Sequence, residues 1–467
     1  MTRRDFRALE LLLPKGRAHG TLAVGETRAS VVVPRPEAGP LPDFAVVEPD
    51  ATQRRRAWAK RAAAEVAGGL SPEGTAVVLA PPGARARIVR LLERHGFSVV
   101  GAFLHAPTFR HTVFVIPLRK EVLLYVFEQL IGRSSWRGLL ARSAARGPGL
   151  RLLRAAAPSV AIWLRRDGRA VTPEWLDARD AALQLSSKGG NLVVHGFDGG
   201  NLPSVVAKVR TDRRAAATSP KAVRSSATAA GVSVPTLLRR VELGDFQATV
   251  ERALPGRPAA SMLSRGGDAT VLELLEDLWS WLERWSRLTV GKQLSPDRLQ
   301  RETVDRAIAL QPLVGGGSDY VDHLRLLSAG SSGFEVAAHN DLTTWNILVD
   351  QGRLAVVDWD EAELAGLPLG DFAYAALDAF TVACNGDRLA AFGRCFGGGA
   401  IAEWIAERLQ RLERTAELTT ETAELCLHAC WLRHASNEHE RAEEPTPFLD
   451  IVREVVRGLP ARPVAAA

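Results

Sequence analysis

The chain has 467 residues and a formal net charge of +6; 46% of its residues are hydrophobic and 24% are charged. This length exceeds that of one ordinary domain, so we expect two or three domains with sizeable cores. Four cysteines in so long a chain exclude a disulfide framework and favour a reducing cytoplasm. No apolar run approaches the roughly 20 residues that span a bilayer, and no motif typical of nucleic-acid binding occurs, so we expect no nucleic-acid partner.

Residues 1–130 predict a small, degenerate Rossmann-like α/β domain. Local patterns give strands at 75–80, 97–104 and 112–118 and helices at 84–95 and 121–131. Strand–helix–strand order predicts a parallel sheet with right-handed crossovers. The domain resembles the second half of a Rossmann-type methyltransferase, but nothing in residues 1–70 reads as a strand, a glycine-rich cofactor loop and a helix. The resemblance therefore implies a scaffold or docking domain rather than a methyltransferase.

Residues 131–175 predict a basic linker. Residues 131–169 contain nine arginines and a single acidic residue, Asp167. Trp136 and Trp163 are interleaved with leucines in the same stretch. A basic amphipathic stretch with tryptophan can lie on an anionic membrane surface, which would attach a cytoplasmic protein peripherally to the inner membrane face. The alternative is a linker whose apolar face packs on a neighbouring domain.

The most informative motif lies between short apolar strands in the C-terminal half. Its spacing is His339-x-Asp341-x-x-x-x-Asn346, and Asp358 ends a strand seventeen residues after Asp341. Phosphoryl transfer from a nucleotide requires a carboxylate that accepts the proton of the attacking hydroxyl. It also requires oxygen ligands for Mg²⁺, which Asn346 and Asp358 can supply. The alternative is an ordinary polar turn between two strands.

This motif, with Val357-Asp358-Trp359 and the segment 366–373, resembles the aminoglycoside phosphotransferase and choline kinase family, whose members have a protein-kinase-like fold. The similarity covers roughly residues 180–440. It implies an α+β protein in which a bilobal kinase-like domain follows the Rossmann-like domain. The implied N-lobe is 176–255, the helical C-lobe is 256–458, and a disordered tail is 459–467. The resemblance also implies ATP and Mg²⁺ as cofactors and a small-molecule hydroxyl as the phosphate acceptor.

The resemblance assigns roles to the positions that match the family's motifs. Asp341 is implied as the catalytic base, with Asn346, Asp358 and Asp360 as metal ligands and His339 and Asp371 as structural support. ATP is implied to contact Lys208, the loop residues Ser187, Gly189 and Gly190, and the backbone of Glu251, Arg252 and Ala253. Glycines in that loop would let backbone N–H groups approach phosphate oxygens. The alternative for Lys208 is a lysine on an edge strand that points to solvent.

One feature departs from the kinase pattern. A kinase lysine is normally held by a glutamate on the next helix, yet no acidic residue occurs between Asp212 and Glu242. Lys208 must then be oriented in another way. This departure favours an alternative function, a catalytically weak or inactive nucleotide-binding pseudokinase scaffold, which would act in envelope glycan assembly at the membrane surface. The complete catalytic motif favours an active enzyme instead.

The C-terminal helices carry two further groups of polar residues. Cys426, Cys430 and His434 recur every four residues, so they share a helix face and, with His428 or His439, suggest a metal site. The alternative for the cysteines is that they are small buried hydrophobic residues. Acids between 421 and 444 suit either a cationic acceptor or a solvated helix face. Further candidates for the acceptor pocket are Asp378, Glu403 and Trp404.

Overall fold

The structure, a computed structural model, divides into two compact units. Unit 1 comprises Met1–Ala216 and Thr236–Ala253, and unit 2 comprises Ala217–Pro235 and Leu254–Ala467. The described residues are 9, 11–13, 21–25, 41–48, 56–107, 112–130, 149–157, 159–171, 173–185, 192–210, 221–244, 246–264, 266–314, 318–440 and 446–458. The predicted phosphate-loop residues Ser187, Gly189 and Gly190, and the predicted tail at 459–467, lie outside them.

Unit 1 is built on a mixed sheet of eleven strands. The strands are β1 (Thr21–Gly25), β2 (Phe44–Glu48), β3 (Thr75–Val78), β4 (Ser98–Pro107), β5 (Thr112–Pro117), β6 (Val160–Arg165), β7 (Asp180–Leu185), β8 (Leu192–Phe197), β9 (Val205–Arg210), β10 (Leu237–Leu243) and β11 (Phe246–Arg252). Their order is β1-β2-β3-β6-β4-β5-β7-β8-β9-β11-β10. Because β5 pairs with β7, the strands of the predicted Rossmann-like domain and those of the predicted N-lobe form one sheet.

Strand directions differ from the sequence prediction. β1, β2 and β3 run parallel, whereas β6 pairs antiparallel with both β3 and β4. β3 and β4 therefore run in the same direction, as strand–helix–strand order requires, but β6 lies between them. The prediction of a parallel sheet is wrong because this later strand returns between the two crossover strands. Strands β1 and β2 were not predicted, because they are short apolar runs without a helical pattern of their own.

The segment Val160–Arg165 was predicted as part of the basic linker and is instead a central strand. All six residues are buried. The ring of Trp163 lies 4.9 Å from that of Phe103 and 6.0 Å from that of Phe44. The linker prediction is wrong here because apolar side chains on both faces of the strand find partners in the unit. Ile162 and Trp163 are consequently not available to a membrane surface, and residues 131–148 lie outside the described part of the chain.

A buried arginine ties the segment before β6 to the rest of unit 1. The helices of this unit are α1 (Arg56–Gly69), α2 (Pro82–Arg94), α3 (Lys120–Tyr125) and α4 (Gly149–Ala156). Arg85 of α2 donates to the carbonyls of Arg154 and Ala155 at 2.7 and 3.0 Å, and to those of Ala157 and Val160 at 2.9 and 2.7 Å. Burial, followed by the nearby charge of Arg154, lowers the pKa of Arg85. The guanidinium thus satisfies carbonyls at the C-terminus of α4, where a helix carries partial negative charge.

Unit 2 is mainly helical, as predicted from residue 256 onward. Its helices are α5 (Lys221–Ala229), α6 (Ala259–Leu263), α7 (Asp268–Thr289), α8 (Pro296–Gln300), α9 (Arg306–Val314), α10 (Ser318–Ala329), α11 (Gly370–Ala383), α12 (Arg388–Phe396), α13 (Ala400–Thr415), α14 (Thr420–Glu440) and α15 (Pro447–Val456). Small sheets are formed by β12 (Arg257–Pro258), β14 (Ile347–Asp350) and β15 (Arg353–Val356), and by β13 (Val336–Ala338) and β16 (Glu363–Gly366). Among the described residues, no helix combines the length and apolar character that crossing a membrane requires.

The core of unit 2 supports the strand that leads to Asp358. Trp281 and Trp285 of α7 stack at 5.1 Å, and Trp285 meets the ring of Trp359 edge-on at 5.7 Å. The Nε1–H group of Trp285 also donates to Ser226 of α5 at 2.9 Å. After α5, the chain pairs with β15, because the N–H group of Val356 donates to the carbonyl of Ser233 at 2.9 Å. The position of β15 is thus fixed by helix packing on one side and by backbone pairing on the other.

Candidate active site

The motif that begins at His339 forms a loop between β13 and β14, and the carboxylate of Asp371 holds its start. Oδ2 of Asp371 accepts the N–H group of His339 at 2.6 Å, and Oδ1 accepts that of Asn340 at 2.8 Å. Asp371 lies in the first turn of α11, where negative charge is favoured. Burial raises the pKa of Asp371, while His339 and the two amide donors oppose this rise. The supporting role of Asp371 stays a prediction, and these two hydrogen bonds agree with it.

His339 links this loop to the strand that precedes Asp358. Its imidazole is fully buried, and Nε2 lies 3.0 Å from the carbonyl oxygen of Val357. The N–H group of Asp341 approaches Nδ1 at 3.3 Å. In this arrangement Nε2–H donates to Val357 and Nδ1 accepts from Asp341. Trp359 packs edge-on against it at 4.9 Å, which fixes the plane of the imidazole.

The side chain of Asn346 orients Asp341. Its Nδ2 group donates to the backbone oxygen of Asp341 at 2.8 Å and to Oδ2 of the same residue at 3.1 Å. Both amide hydrogens are therefore used, which assigns the amide orientation and leaves Oδ1 of Asn346 as the atom suited to a cation. Both side chains are half-buried. The donor set fits Mg²⁺, which prefers carboxylate and carbonyl oxygens.

Asp358 is placed beside Asn346 by the pairing of β14 and β15. Ile347 lies opposite Val356, and the N–H group of Val357 donates to the carbonyl of Asn346 at 2.9 Å. Asp358 then adopts a left-handed backbone conformation, with φ of 65° and ψ of 58°, which is rare for a residue with a side chain. Asp360 follows in a single turn of 3₁₀ helix and is half-buried. The structure thus brings Asn346 and Asp358 to the same end of the β14–β15 pair, and Asp341 is hydrogen-bonded to Asn346.

Two carboxylates that the sequence analysis did not assign to the loop also hold it. Oδ2 of Asp378 accepts the N–H group of Thr344 at 2.8 Å and its hydroxyl at 2.5 Å. Glu363 accepts the side-chain amide of Asn340 at 3.0 Å and pairs with Arg298 at 2.8 Å. Asp378 was predicted to line an acceptor pocket, and that prediction is wrong because the side chain is buried against the loop. The sequence spacing could have indicated this contact, since Asp371 and Asp378 are seven residues apart and share a face of α11.

The other candidates for an acceptor pocket and for a thiolate metal site serve in packing. Trp404 lies under the guanidinium of Arg408 at 3.9 Å, and Glu403 is exposed. Burial raises the pKa of Cys426 to about 12 and raises that of Cys430 still further, which keeps both thiols protonated. His434 stacks on Tyr374 at 3.8 Å. The alternative interpretation, in which these cysteines are small buried hydrophobic residues, is the one that fits, because both lie in the apolar core of unit 2.

A small cavity lies beside the loop in unit 2. It measures about 20 Å³ and is lined by Asn340, Leu367, Gly370, Asp371, Tyr374, Cys426, Ala429, Cys430, Arg433 and His434. This volume suits a single water molecule rather than a phosphate acceptor. Burial, with Asp341 and Asp378 nearby, raises the pKa of Tyr374. The Tyr374 hydroxyl therefore remains protonated at neutral pH.

In unit 1, Lys208 lies in the middle of an inner strand. It stands opposite Val193 of β8 and Thr249 of β11, so the alternative of an edge strand is wrong. The side chain is half-buried, in the alternating pattern of β9. The helix α5, in unit 2, carries no acidic residue along its described length, which agrees with the missing glutamate. These positions leave a role in phosphate binding as a prediction.

The segment predicted to bind adenine uses two of its N–H groups within unit 1. Arg252 donates to the carbonyl of Thr236 at 2.8 Å, and Ala253 donates to that of Ser204 at 3.0 Å. Adenine binding through these two amides is therefore contradicted, because each already has an acceptor. Glu251 is buried, and it pairs with Leu237 of β10 on one side and with Val206 of β9 on the other. A contact with adenine through other backbone groups of this segment stays a prediction.

The buried imidazole of His339 and the hydrogen-bonded pair of Asp341 and Asn346 lie in the mainly helical unit of a protein-kinase-like fold. Residues 183–404 match the family described as the phosphotransferase enzyme family. The resemblance to aminoglycoside phosphotransferases is thereby confirmed for these residues. Among curated protein sequences, none matches the chain.

Solved aminoglycoside phosphotransferases are similar to this chain at low identity. A thermostable mutant of APH(4)-Ia, in a ternary complex with ADP and hygromycin B, is 13% identical with a TM-score of 0.40; 62% of this chain and 95% of that one are covered. A gentamicin complex of APH(2")-IIa is 11% identical with a TM-score of 0.35, over 60% and 92% of the two chains. APH(3'')-Id from Streptomyces rimosus is 16% identical with a TM-score of 0.33, over 53% and 91%.

Proposed function

We propose that the protein transfers the γ-phosphate of ATP to a hydroxyl group of a small molecule in a Mg²⁺-dependent reaction. The observation that carries this proposal is the double hydrogen bond from Asn346 to Asp341, at 2.8 and 3.1 Å. It fixes a carboxylate next to an amide oxygen, with Asp358 on the neighbouring strand end. A polar turn without catalytic function does not need both amide hydrogens committed to one acidic residue.

In the proposed reaction, Asp341 accepts the proton of the acceptor hydroxyl as the oxygen attacks the γ-phosphorus. The bond from the γ-phosphorus to the β–γ bridging oxygen breaks, and the products are ADP and a phosphate ester. Asn346 holds Asp341 in position and offers its Oδ1 to the metal, as do the carboxylates of Asp358 and Asp360. Bound Mg²⁺ would neutralise phosphate charge and align the γ-phosphate for attack. His339 and Asp371 keep the loop in place and take no part in proton transfer.

Lys208 is proposed to neutralise the phosphates of ATP. A nucleotide-binding pseudokinase scaffold is the second candidate function, because α5 carries no acidic residue along its described length. A sugar, an amino alcohol, an aminoglycoside-like compound or a glycan precursor are the acceptor classes we propose.

The test is a panel of small alcohols and sugars incubated with γ-labelled ATP, Mg²⁺ and the full chain. Asp341→Asn should reduce transfer by about 10²- to 10⁴-fold and leave ATP binding unchanged, because only the proton acceptor is lost. Asp350→Asn is the matched control, since Asp350 lies at the turn end of β14, at the other end of that strand from Asn346. ATP binding without transfer or Asp341-dependent hydrolysis would establish the scaffold function. Transfer that persists in Asp341→Asn would remove Asp341 from the mechanism.

A further inference from the structure

A cluster of two histidines and one glutamate joins α10 to α14, apart from the catalytic loop. His323 belongs to α10, whereas Glu424 and His428 occupy successive turns of α14. One ligand atom from each residue lies within 4.8 Å of the others. Oε1 of Glu424 is 3.1 Å from Nε2 of His323 and 3.7 Å from Nε2 of His428. Imidazole nitrogens and a carboxylate oxygen therefore converge on one point.

His428 points an unsatisfied nitrogen at this cluster. The residue is only 3% exposed, and its Nε2 has no hydrogen-bond partner among the described residues. The 3.7 Å separation from Glu424 is too long for a hydrogen bond. A buried polar atom without a partner is costly in a folded protein, so an orphan nitrogen in an otherwise well-bonded region requires an explanation.

The other nitrogen of His428 is held by Tyr320. The Tyr320 hydroxyl lies 3.0 Å from Nδ1. If Nδ1–H donates to the tyrosine oxygen, the lone pair of Nε2 is directed at Glu424 and His323. A ring nitrogen fixed by an outer hydrogen bond, with the other nitrogen presented to a common point, is the usual arrangement of a histidine metal ligand.

We propose that His323, Glu424 and His428 bind a divalent transition-metal ion, with Zn²⁺ as the best fit. Two imidazoles and one carboxylate are ligands that Zn²⁺ takes readily, whereas Mg²⁺ and Ca²⁺ prefer all-oxygen sets. Tetrahedral Zn²⁺ with bonds of about 2.1 Å separates its ligand atoms by about 3.4 Å. The observed separations of 3.1 and 3.7 Å lie on either side of that value. The third separation, between the ligand nitrogens of His323 and His428, is at most 4.8 Å, and rotation of the exposed His323 ring can shorten it.

The three residues of the cluster differ in burial, since His428 is buried, Glu424 is half-buried and His323 is exposed. With three protein ligands and His323 at the surface, the fourth position would face solvent.

A metal at this position would act as a clamp between two helices. α14 also carries Arg433, which reaches Glu302 and Glu363, and Glu363 in turn holds Asn340 of the catalytic loop. The clamp would fix α14 and would not take part in phosphoryl transfer. The proposal therefore stands independently of the function proposed above.

The test is Zn²⁺ titration of the chelator-treated full chain by calorimetry, with elemental analysis of the dialysed complex. We expect one saturable Zn²⁺ per chain and a higher Tm. Co²⁺ in its place should give the intense visible absorption of a four-coordinate site with nitrogen ligands. His323→Ala and Glu424→Gln should each weaken binding at least about tenfold, and Tyr320→Phe by about 10- to 100-fold, as expected for loss of an outer hydrogen bond.

The matched control is His439→Ala, an exposed histidine of the same helix, which should bind Zn²⁺ like the unaltered protein. Because His323 is exposed as well, its replacement should leave the metal-free Tm unchanged, so a loss of binding cannot be assigned to misfolding. The proposal is overturned by the absence of saturable binding, which would make the cluster an ion pair only. It is equally overturned if His323→Ala and Glu424→Gln bind as tightly as His439→Ala.

Discussion

The carboxylate of Asp371 offers a sharp test of how the catalytic loop is held. In Asp371→Asn, one of the two oxygens that accept the N–H groups of His339 and Asn340 becomes an NH₂ group. One amide donor at 2.6 or 2.8 Å then faces another donor in a buried position. Loss of a hydrogen bond to a charged group costs about 1.5–3 kcal/mol, and the stranded donor adds about 1 kcal/mol or more. We expect the variant to lose about 2–4 kcal/mol of local stability.

The control for this variant is the same substitution at the N-cap of α12. The side chain of Asp387 accepts the N–H group of Ala390 at 2.9 Å in an exposed position. Asn caps a helix as well as Asp does, so Asp387→Asn should change stability by less than about 0.5 kcal/mol. The two variants change the same atoms and the same formal charge. They differ in burial and in the number of backbone donors that the carboxylate serves.

Hydrogen exchange at the amides of residues 339 and 340 is the direct assay. A loss of 2–4 kcal/mol corresponds to about 30- to 1,000-fold faster exchange at these two amides when opening is rapid and reversible. Exchange in α7 should change much less. Urea midpoints give a second measure, although a chain with two units can unfold in more than one step. Unchanged exchange at residues 339 and 340 in Asp371→Asn would refute the role assigned to this carboxylate.

Three further outcomes are expected from other positions. Asn346→Ala should raise the Mg²⁺ concentration for half-maximal turnover by about tenfold or more, because one metal ligand and the brace on Asp341 are lost together, as a Mg²⁺ titration would reveal. Lys208→Met should weaken ATP binding measured by calorimetry, and an unchanged Kd would exclude contact with phosphate. Burial lowers the pKa of His195 to about 4 from 6.5. The unfolded chain therefore binds this proton first, so the stability due to neutral His195 is complete above pH 6.5 and falls between pH 6.5 and 4; His195→Phe should flatten that slope in urea unfolding.

Local patterns predicted the elements around the catalytic loop because the chemistry there is encoded in short spacings. Asp341, Asn346 and Asp358 fall within eighteen consecutive residues and need only one turn and one hairpin to meet. The supporting Asp371 was visible for the same reason, at the start of the next helix. Its neighbour Asp378 was misassigned, although its spacing on α11 places it on the same face. The contact between Asp378 and the loop could have been predicted, because Asp378 shares a helix face with Asp371.

The sheet of unit 1 could not be predicted in the same way, because its order depends on distant segments. β6 lies 82 residues after β3 along the chain and still pairs with it. The many arginines of the surrounding stretch led to the prediction of a basic linker. The stretch nevertheless contains β6, whose six consecutive residues are all buried. Charge patterns describe the exposed surface of a segment, whereas strand position depends on which apolar side chains find partners. When a basic stretch contains an apolar run, the apolar run should therefore be considered separately as a candidate buried strand.

The cluster of His323, Glu424 and His428 could not be predicted from the sequence either. The spacing of Glu424 and His428 was available from the sequence, and it places both on one face of α14. His323 precedes Glu424 by 101 residues and meets it only because α10 packs on α14. The sequence therefore directed attention to Cys426 and Cys430, which share a helix with His428 but are used in the core. Helical spacing identifies residues that share a face, and only packing decides whether that face meets a third ligand or apolar neighbours.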